Sequence, residues 1–182
     1  SRERGEALAA ELTGLGTPTI FVAADMNDSG APQAIVDACD ARFGVVDGLV
    51  NVAASTTRAT LFEDTPEHFD AMMTMNIKAP YFLIQATARM MLRDGSRGSI
   101  VNVGSTTGHG GQTKLTAYAM SKGALAIMTK NLAFGLFILA DGGVYPVLFW
   151  GAYVVLGSLV PLALIWRPGS TARDLVVAAL LV

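Results

Sequence analysis

The chain has 182 residues, 52% of them apolar, a net charge of −2 and one cysteine. That length suits one ordinary domain. No clustered basic face is present, so nucleic acid is not an expected partner. A single cysteine excludes an internal disulfide, and no ligand cluster calls for a metal. Charge is unevenly spread: residues 1–135 hold 11 Lys/Arg and 13 Asp/Glu, whereas residues 136–182 hold only Asp141, Arg167, Arg173 and Asp174. The opening run Ser1-Arg-Glu-Arg4 is charged, unlike a signal peptide, and with the single cysteine the cytoplasm is the expected location of residues 1–136.

In chain order, Leu8, Leu12 and Leu15 predict an amphipathic helix over residues 3–15, ended by Gly16. Residues 19–24 form a short apolar run of strand length, closed by Asp25. Asn27, Asp28 and Ser29 are turn formers and candidate caps for a helix over 31–43. Residues 45–53 contain a second buried strand, followed by a polar loop over 55–64. Thr65-Pro66-Glu67 reads as a helix start, with Thr as cap and Pro in first position. That helix runs, with a kink, to Leu92. Residues 99–103 are a third strand, 104–113 a Gly/Thr-rich loop and 116–135 another helix. Strands that are continuous apolar runs, alternating with helices, predict an α/β fold with a parallel sheet covered on both faces.

The chemistry centres on Tyr118-Ala-Met-Ser-Lys122. Residues four apart share a helix face, so the ammonium stands near the phenol. A positive neighbour favours phenolate and draws the phenol toward working pH. A phenol so tuned exchanges a proton with a carbonyl or alcohol oxygen. Ser105 follows the strand at 99–103, where open parallel sheets build their sites. Asn76 is placed mid-helix against its propensity, which a functional role explains. His109 is a solvated loop residue on this reading, and His68 a helix-surface residue.

Asp25-Met26, Leu49-Val-Asn-Val-Ala-Ala54, Met75-Asn76, Ser99-Ile-Val-Asn-Val-Gly-Ser105 and Tyr118-x-x-x-Lys122 fall in one order and spacing. Over residues 3–136 the chain resembles the classical short-chain dehydrogenase/reductase family. The resemblance implies an incomplete Rossmann-like parallel sheet flanked by helices. It implies hydride transfer between NAD or NADP and a secondary alcohol or ketone, a sugar or polyol among them. Tyr118 would be the general acid/base, and Lys122 would support it and bond the nicotinamide ribose. Ser105 would orient the substrate carbonyl, and Asn76 would hold a water in the proton relay. Asp25 and Met26 would lie near the adenine. Asn51 and Ala53 would lie along the cofactor, with no metal required. Pairing of copies through the helices at 65–92 and 116–135 is expected from the family.

The departures are equally specific. The family's glycine-rich phosphate turn and the residues choosing NAD or NADP would precede Ser1. Gly104, Gly108, Gly110 and Gly111 lack the required spacing to replace that turn. Asn51-Val-Ala-Ala54 stands where Asn-Asn-Ala-Gly is usual. The family's first two strands would lie between the strands at 19–24 and 45–53, so the chain alone is expected to be inactive, without a complete cofactor site.

From Phe137 the text changes. Residues 142–166 are 25 residues without a charge, long enough to span a bilayer, the other reading being a buried core helix of a large enzyme. Residues 137–182 are therefore set apart as an apolar helical tail: one transmembrane helix and a truncated second. The runs 141–150 and 157–162 resemble the polysulfide reductase membrane-subunit (NrfD-type) family, whose members are quinone-linked. Two alternatives to a truncated, chimeric oxidoreductase stay open: a membrane-anchored, non-catalytic fusion, and an assembly artefact joining two reading frames.

Overall fold

The computed structural model describes residues 1–95 and 98–140, the last seven of these by backbone alone. The apolar run 142–166, its membrane reading and the resemblance to quinone-linked subunits lie outside the described residues. Among the described residues no helix is long and apolar enough to cross a membrane. The chain divides into two units, Ser1–Leu132 and Ala133–Val182.

The first unit opens with helix α1 (Arg2–Gly14), which has no buried residue. Its leucines have the expected spacing, but Leu8 stays 53% exposed because little packs against that face. Residues 17–25 join no ladder, so the strand expected at 19–24 does not form. A strand needs a second strand to take its N–H and C=O groups, and among the described residues no strand lies beside this run; Thr13 Oγ1 of α1 accepts from Thr19 N at 3.2 Å instead.

Helix α2 (Ala31–Phe43) is capped by Gly30, one residue beyond the three candidates, with Pro32 in its first turn. Asp28 still shapes the entry: its Oδ1 accepts from Gly30 N at 2.9 Å. Gly44 ends the helix at φ 72°, a left-handed conformation that costs glycine no Cβ clash.

Strands β1 (Gly48–Asn51) and β2 (Ser99–Asn102) pair in parallel, Gly48 opposite Ser99 and Asn51 opposite Asn102. Both are four residues long and shorter than the apolar runs suggest. Neither is covered on both faces as expected. Leu49 packs onto the core cluster, while Val50, on the opposite face, is 60% exposed. Helices α2 and α4 pack on the Leu49 face, and Asn102 of β2 bonds to Thr129 of α5.

The helix expected over 65–92 is three pieces: α3 (Pro66–Met73), a π-helical turn (Thr74–Lys78) and α4 (Ala79–Asp94). Thr65 caps α3 as its sequence predicts, accepting from His68 N at 3.2 Å. The expected kink has a cause. Pro80 has no N–H to give the Asn76 carbonyl four residues back, and its ring crowds that group. The backbone answers with i→i−5 pairing, Ala79 N–H bonding to Thr74 O.

Val36 of α2 and Leu83, Ala86 and Met90 of α4 form the buried core, with Ile35, Val46 and Leu49 against it. Val36, Leu83 and Met90 each contribute about 1.5–3 kcal/mol on burial. At the rim Arg93 Nη1 bonds Asp40 Oδ2 at 2.7 Å. Helix α5 (Thr116–Ala140) continues past Gly135, where an end was expected. One glycine costs about 1 kcal/mol in a helix, and the Leu-Phe-Ile-Leu-Ala that follows sustains it.

Candidate active site

The site is assembled from three segments: the π-helical turn carrying Asn76, the loop after β2 carrying Ser105, and the first turns of α5 carrying Tyr118 and Lys122. A π-turn widens the helix at one point, and such turns recur at functional sites. Here it carries Asn76, which is 1% exposed.

Asn76 is a hub. Its Oδ1 accepts from Ser55 N at 2.8 Å. Its Nδ2 donates to Ser55 O at 3.0 Å and to Ser121 Oγ at 2.9 Å, and lies 3.1 Å from Met72 Sδ. Ser121, wholly buried, donates in turn to the carbonyl of Tyr118 at 2.7 Å. One side chain thus ties the loop after β1 to the helix turn that carries the phenol. A buried amide with these partners loses nothing on desolvation.

Lys122 is 5% exposed. Its Nζ donates to Val103 O at 2.7 Å and stands 5.9 Å from the centroid of the Tyr118 ring. Burial of the ammonium, which disfavours its charged form, lowers its pKa below the ordinary lysine value. The Lys–Tyr pairing expected from the i, i+4 spacing is therefore present across the ring, and the ammonium is also anchored at the end of β2.

Ser105 opens a short 3₁₀ turn, Thr106–Gly108. Its Oγ lies 2.8 Å from Thr107 Oγ1 and accepts from Thr107 N at 3.3 Å. No hydrogen bond joins Ser105 to Tyr118 among the described residues. The turn itself is pressed onto α5. A Cβ on Gly108 would stand 2.8 Å from the Lys122 carbonyl carbon and 2.9 Å from Gly123 N. Only glycine lets the loop approach this closely, and that contact holds Ser105 beside the Tyr118–Lys122 turn.

The residues expected along a cofactor are placed differently. Asn51 spends its Nδ2 on Asn102 Oδ1 at 2.8 Å, and Asn102 continues to Thr129 Oγ1 of α5 at 3.0 Å. It bridges strands and helix. Ala53 is exposed. Met26 packs against the α2–α4 core and also lines a small cleft with Asn27, Thr74, Lys78 and Phe82. Asp25 Oδ1 accepts from the backbone and the side chain of Asn27, which together lower its pKa. The described residues bring Asn76, Ser105, Tyr118 and Lys122 into one cluster, and Asp25 and Met26 into another.

Three participants escaped the sequence reading. Ser55 acts through its main chain, which no residue type reveals. Ser121 stands inside the Tyr-x-x-x-Lys motif, where a buried hydroxyl three residues on can reach the Tyr118 carbonyl. His68 is not a free surface residue: both its ring nitrogens are engaged.

A family model described as short chain dehydrogenase matches residues 1–137. Among curated proteins the chain is 33% identical over 123 residues to 2-dehydro-3-deoxy-D-gluconate 5-dehydrogenase of Dickeya dadantii, covering 68% of this chain and 49% of the relative. Its fold matches an NAD+-bound xylitol dehydrogenase at TM-score 0.70 and 28% identity, over 75% of this chain and 52% of that one. It also matches a gluconate 5-dehydrogenase from Burkholderia cenocepacia in complex with NADP and tartrate, at TM-score 0.69 and 29% identity, over 74% and 52%. The chain thus spans about half the length of the curated relatives it matches. With the family match running through the Tyr118–Lys122 turn, the chain belongs to the short chain dehydrogenases.

Proposed function

We propose that this chain carries the acid/base half of an NAD(P)-dependent oxidoreductase acting on a secondary alcohol or ketone, of sugar, sugar-acid or polyol type. The observation that carries this reading is the Tyr118–Lys122 pair, held by Asn76 through Ser121. The nicotinamide supplies the hydride-accepting or hydride-donating carbon when bound. Tyr118 exchanges a proton with the substrate oxygen. Lys122 stabilises negative charge on the phenol oxygen. Ser105 donates to the substrate oxygen and fixes its orientation. Asn76 holds the loop and helix in register and keeps one Oδ1 lone pair for a water.

The donor set fits the nicotinamide end of such a cofactor. An ammonium has three hydrogens, and Val103 O takes one, leaving two for ribose hydroxyls. Nothing comparable serves a pyrophosphate among the described residues, where glycines follow β2 without the spacing of a phosphate turn. The two structural neighbours hold NAD+ and NADP respectively, and the relatives named above are dehydrogenases of a polyol or sugar acids, which supports the substrate class and keeps both cofactors in the proposal. The apolar side chains left exposed on α4 and α5, Phe82, Met120 and Ile127, support pairing of copies through these helices.

The test replaces the corresponding half of a xylitol dehydrogenase with residues 3–136 of this chain. It supplies a polyol carrying deuterium on the carbinol carbon. Deuterium recovered on the nicotinamide ring supports direct hydride transfer. Deuterium lost to water while the alcohol is oxidised contradicts it.

A further inference from the structure

Asp64 and His68 face each other across the N-terminus of α3, on either side of its cap Thr65. His68 Nδ1 lies 2.5 Å from Asp64 Oδ1. On the other side of the ring Nε2 lies 2.7 Å from Thr57 Oγ1, and Thr57 Oγ1 lies 3.2 Å from Ser55 Oγ. The two ring-and-carboxylate side chains are 27% and 22% exposed.

With the His68 ring neutral, donor and acceptor inventory gives these four groups one direction. A carboxylate only accepts, so Nδ1 carries the hydrogen. Nε2 of the neutral ring is then an acceptor. Thr57 must donate to it, and the Thr57 oxygen accepts from Ser55. The order runs Ser55, Thr57, His68, Asp64. At the other end, the N–H and C=O of Ser55 are both bonded to Asn76. Ser55 is gripped twice: by its backbone from Asn76, and by its hydroxyl from His68 through Thr57.

We propose that His68, oriented by Asp64, is a positioning residue that clamps the loop between β1 and α3. The clamp keeps Ser55 on Asn76, and so keeps Asn76 on Ser121 and the Tyr118 turn. What the clamp serves rests on the dehydrogenase reading; the clamp itself does not.

Measurements on the full chain and on the graft separate them. The first is ¹⁵N-edited NMR of the imidazoles of the full chain at mildly alkaline pH. His109→Gln assigns the second ring, since the chain has two histidines. The expected result is His68 in the Nδ1–H form, the less common tautomer in water, and its return to Nε2–H in Asp64→Asn. An Nε2–H ring in the unsubstituted chain overturns the clamp, and needs no variant to fold. Amide exchange then reads the grip: Thr57→Val speeds exchange at Ser55 about tenfold and leaves α2 unchanged. Equal protection of Ser55 overturns it.

The second measurement uses the active graft described above. His68→Ala lowers kcat about tenfold, with KM changed less than about twofold, and Tyr118→Phe is run beside it. An unchanged kcat overturns the positioning role. An inactive graft whose His68 is in the Nδ1–H form counts against the dehydrogenase reading and leaves the clamp standing.

Discussion

At the scale of single residues, the site depends on close approaches as much as on reactive groups. Gly108 is the sharpest case. A Cβ there meets backbone atoms of Lys122 and Gly123 below 3.0 Å, and backbone cannot swing aside as a side chain can. Gly108→Ala is expected to cost about 2 kcal/mol, read as a lower urea midpoint with an unchanged slope. Lys122 makes a second prediction, from its lowered pKa. Between the folded-state value and the ordinary lysine value of 10.5 the unfolded chain binds more protons than the folded one. Stability from this group therefore rises with pH through that window and levels off above it. Urea unfolding at a series of alkaline pH values should show a slope that Lys122→Met removes. Tyr118, Lys122, Ser105 and Asn76 were all legible in the sequence, because reactive types at fixed spacing are what a motif records. Ser55 was not, because its contribution is two main-chain groups. Asn51 bridges to Asn102, a partner its residue type does not name; its expected place beside a cofactor is a separate matter that this bond leaves open.

At the scale of elements, helices were easier to read than strands. The cap at Thr65 and the helix over 31–43 are local devices and appear where the sequence puts them. The break within 65–92 was legible as a kink, though not as a π-turn, since Pro80 states the problem and only the packing of Asn76 states the solution. The run at 19–24 was legible as apolar. It is no strand here, because a ladder belongs to two segments and sequence shows one at a time. What joins the elements is polar as well as apolar. The amide of Asn102 links Asn51 on β1 to Thr129 on α5. Asn102→Val should leave these partners unpaired in a half-buried setting and cost about 1–3 kcal/mol, with faster amide exchange in β1 than in α2.

At the scale of the whole molecule, the described residues bring Asn76, Tyr118 and Lys122 together and include no glycine turn with the spacing of a phosphate site. The sheet pair is covered on one face, and the stripe from Val50 and Val52 across to Val101 and Val103 lies open on the other. A chain so arranged should bind NADH without saturation in the micromolar range typical of nucleotide sites, as fluorescence titration would show. Tight, saturable binding would contradict the expectation that this chain alone lacks a complete cofactor site. The central claim is that Tyr118 is the acid/base group of a hydride-transfer site, and one comparison tests it most directly. Cofactor-dependent oxidation of a polyol by the graft carrying residues 3–136 is measured with Tyr118 and with Tyr118→Phe. The account predicts turnover by the first and a loss of at least about a hundredfold in the second, with the fold retained. Equal turnover by both would remove Tyr118 from the chemistry and contradict the account.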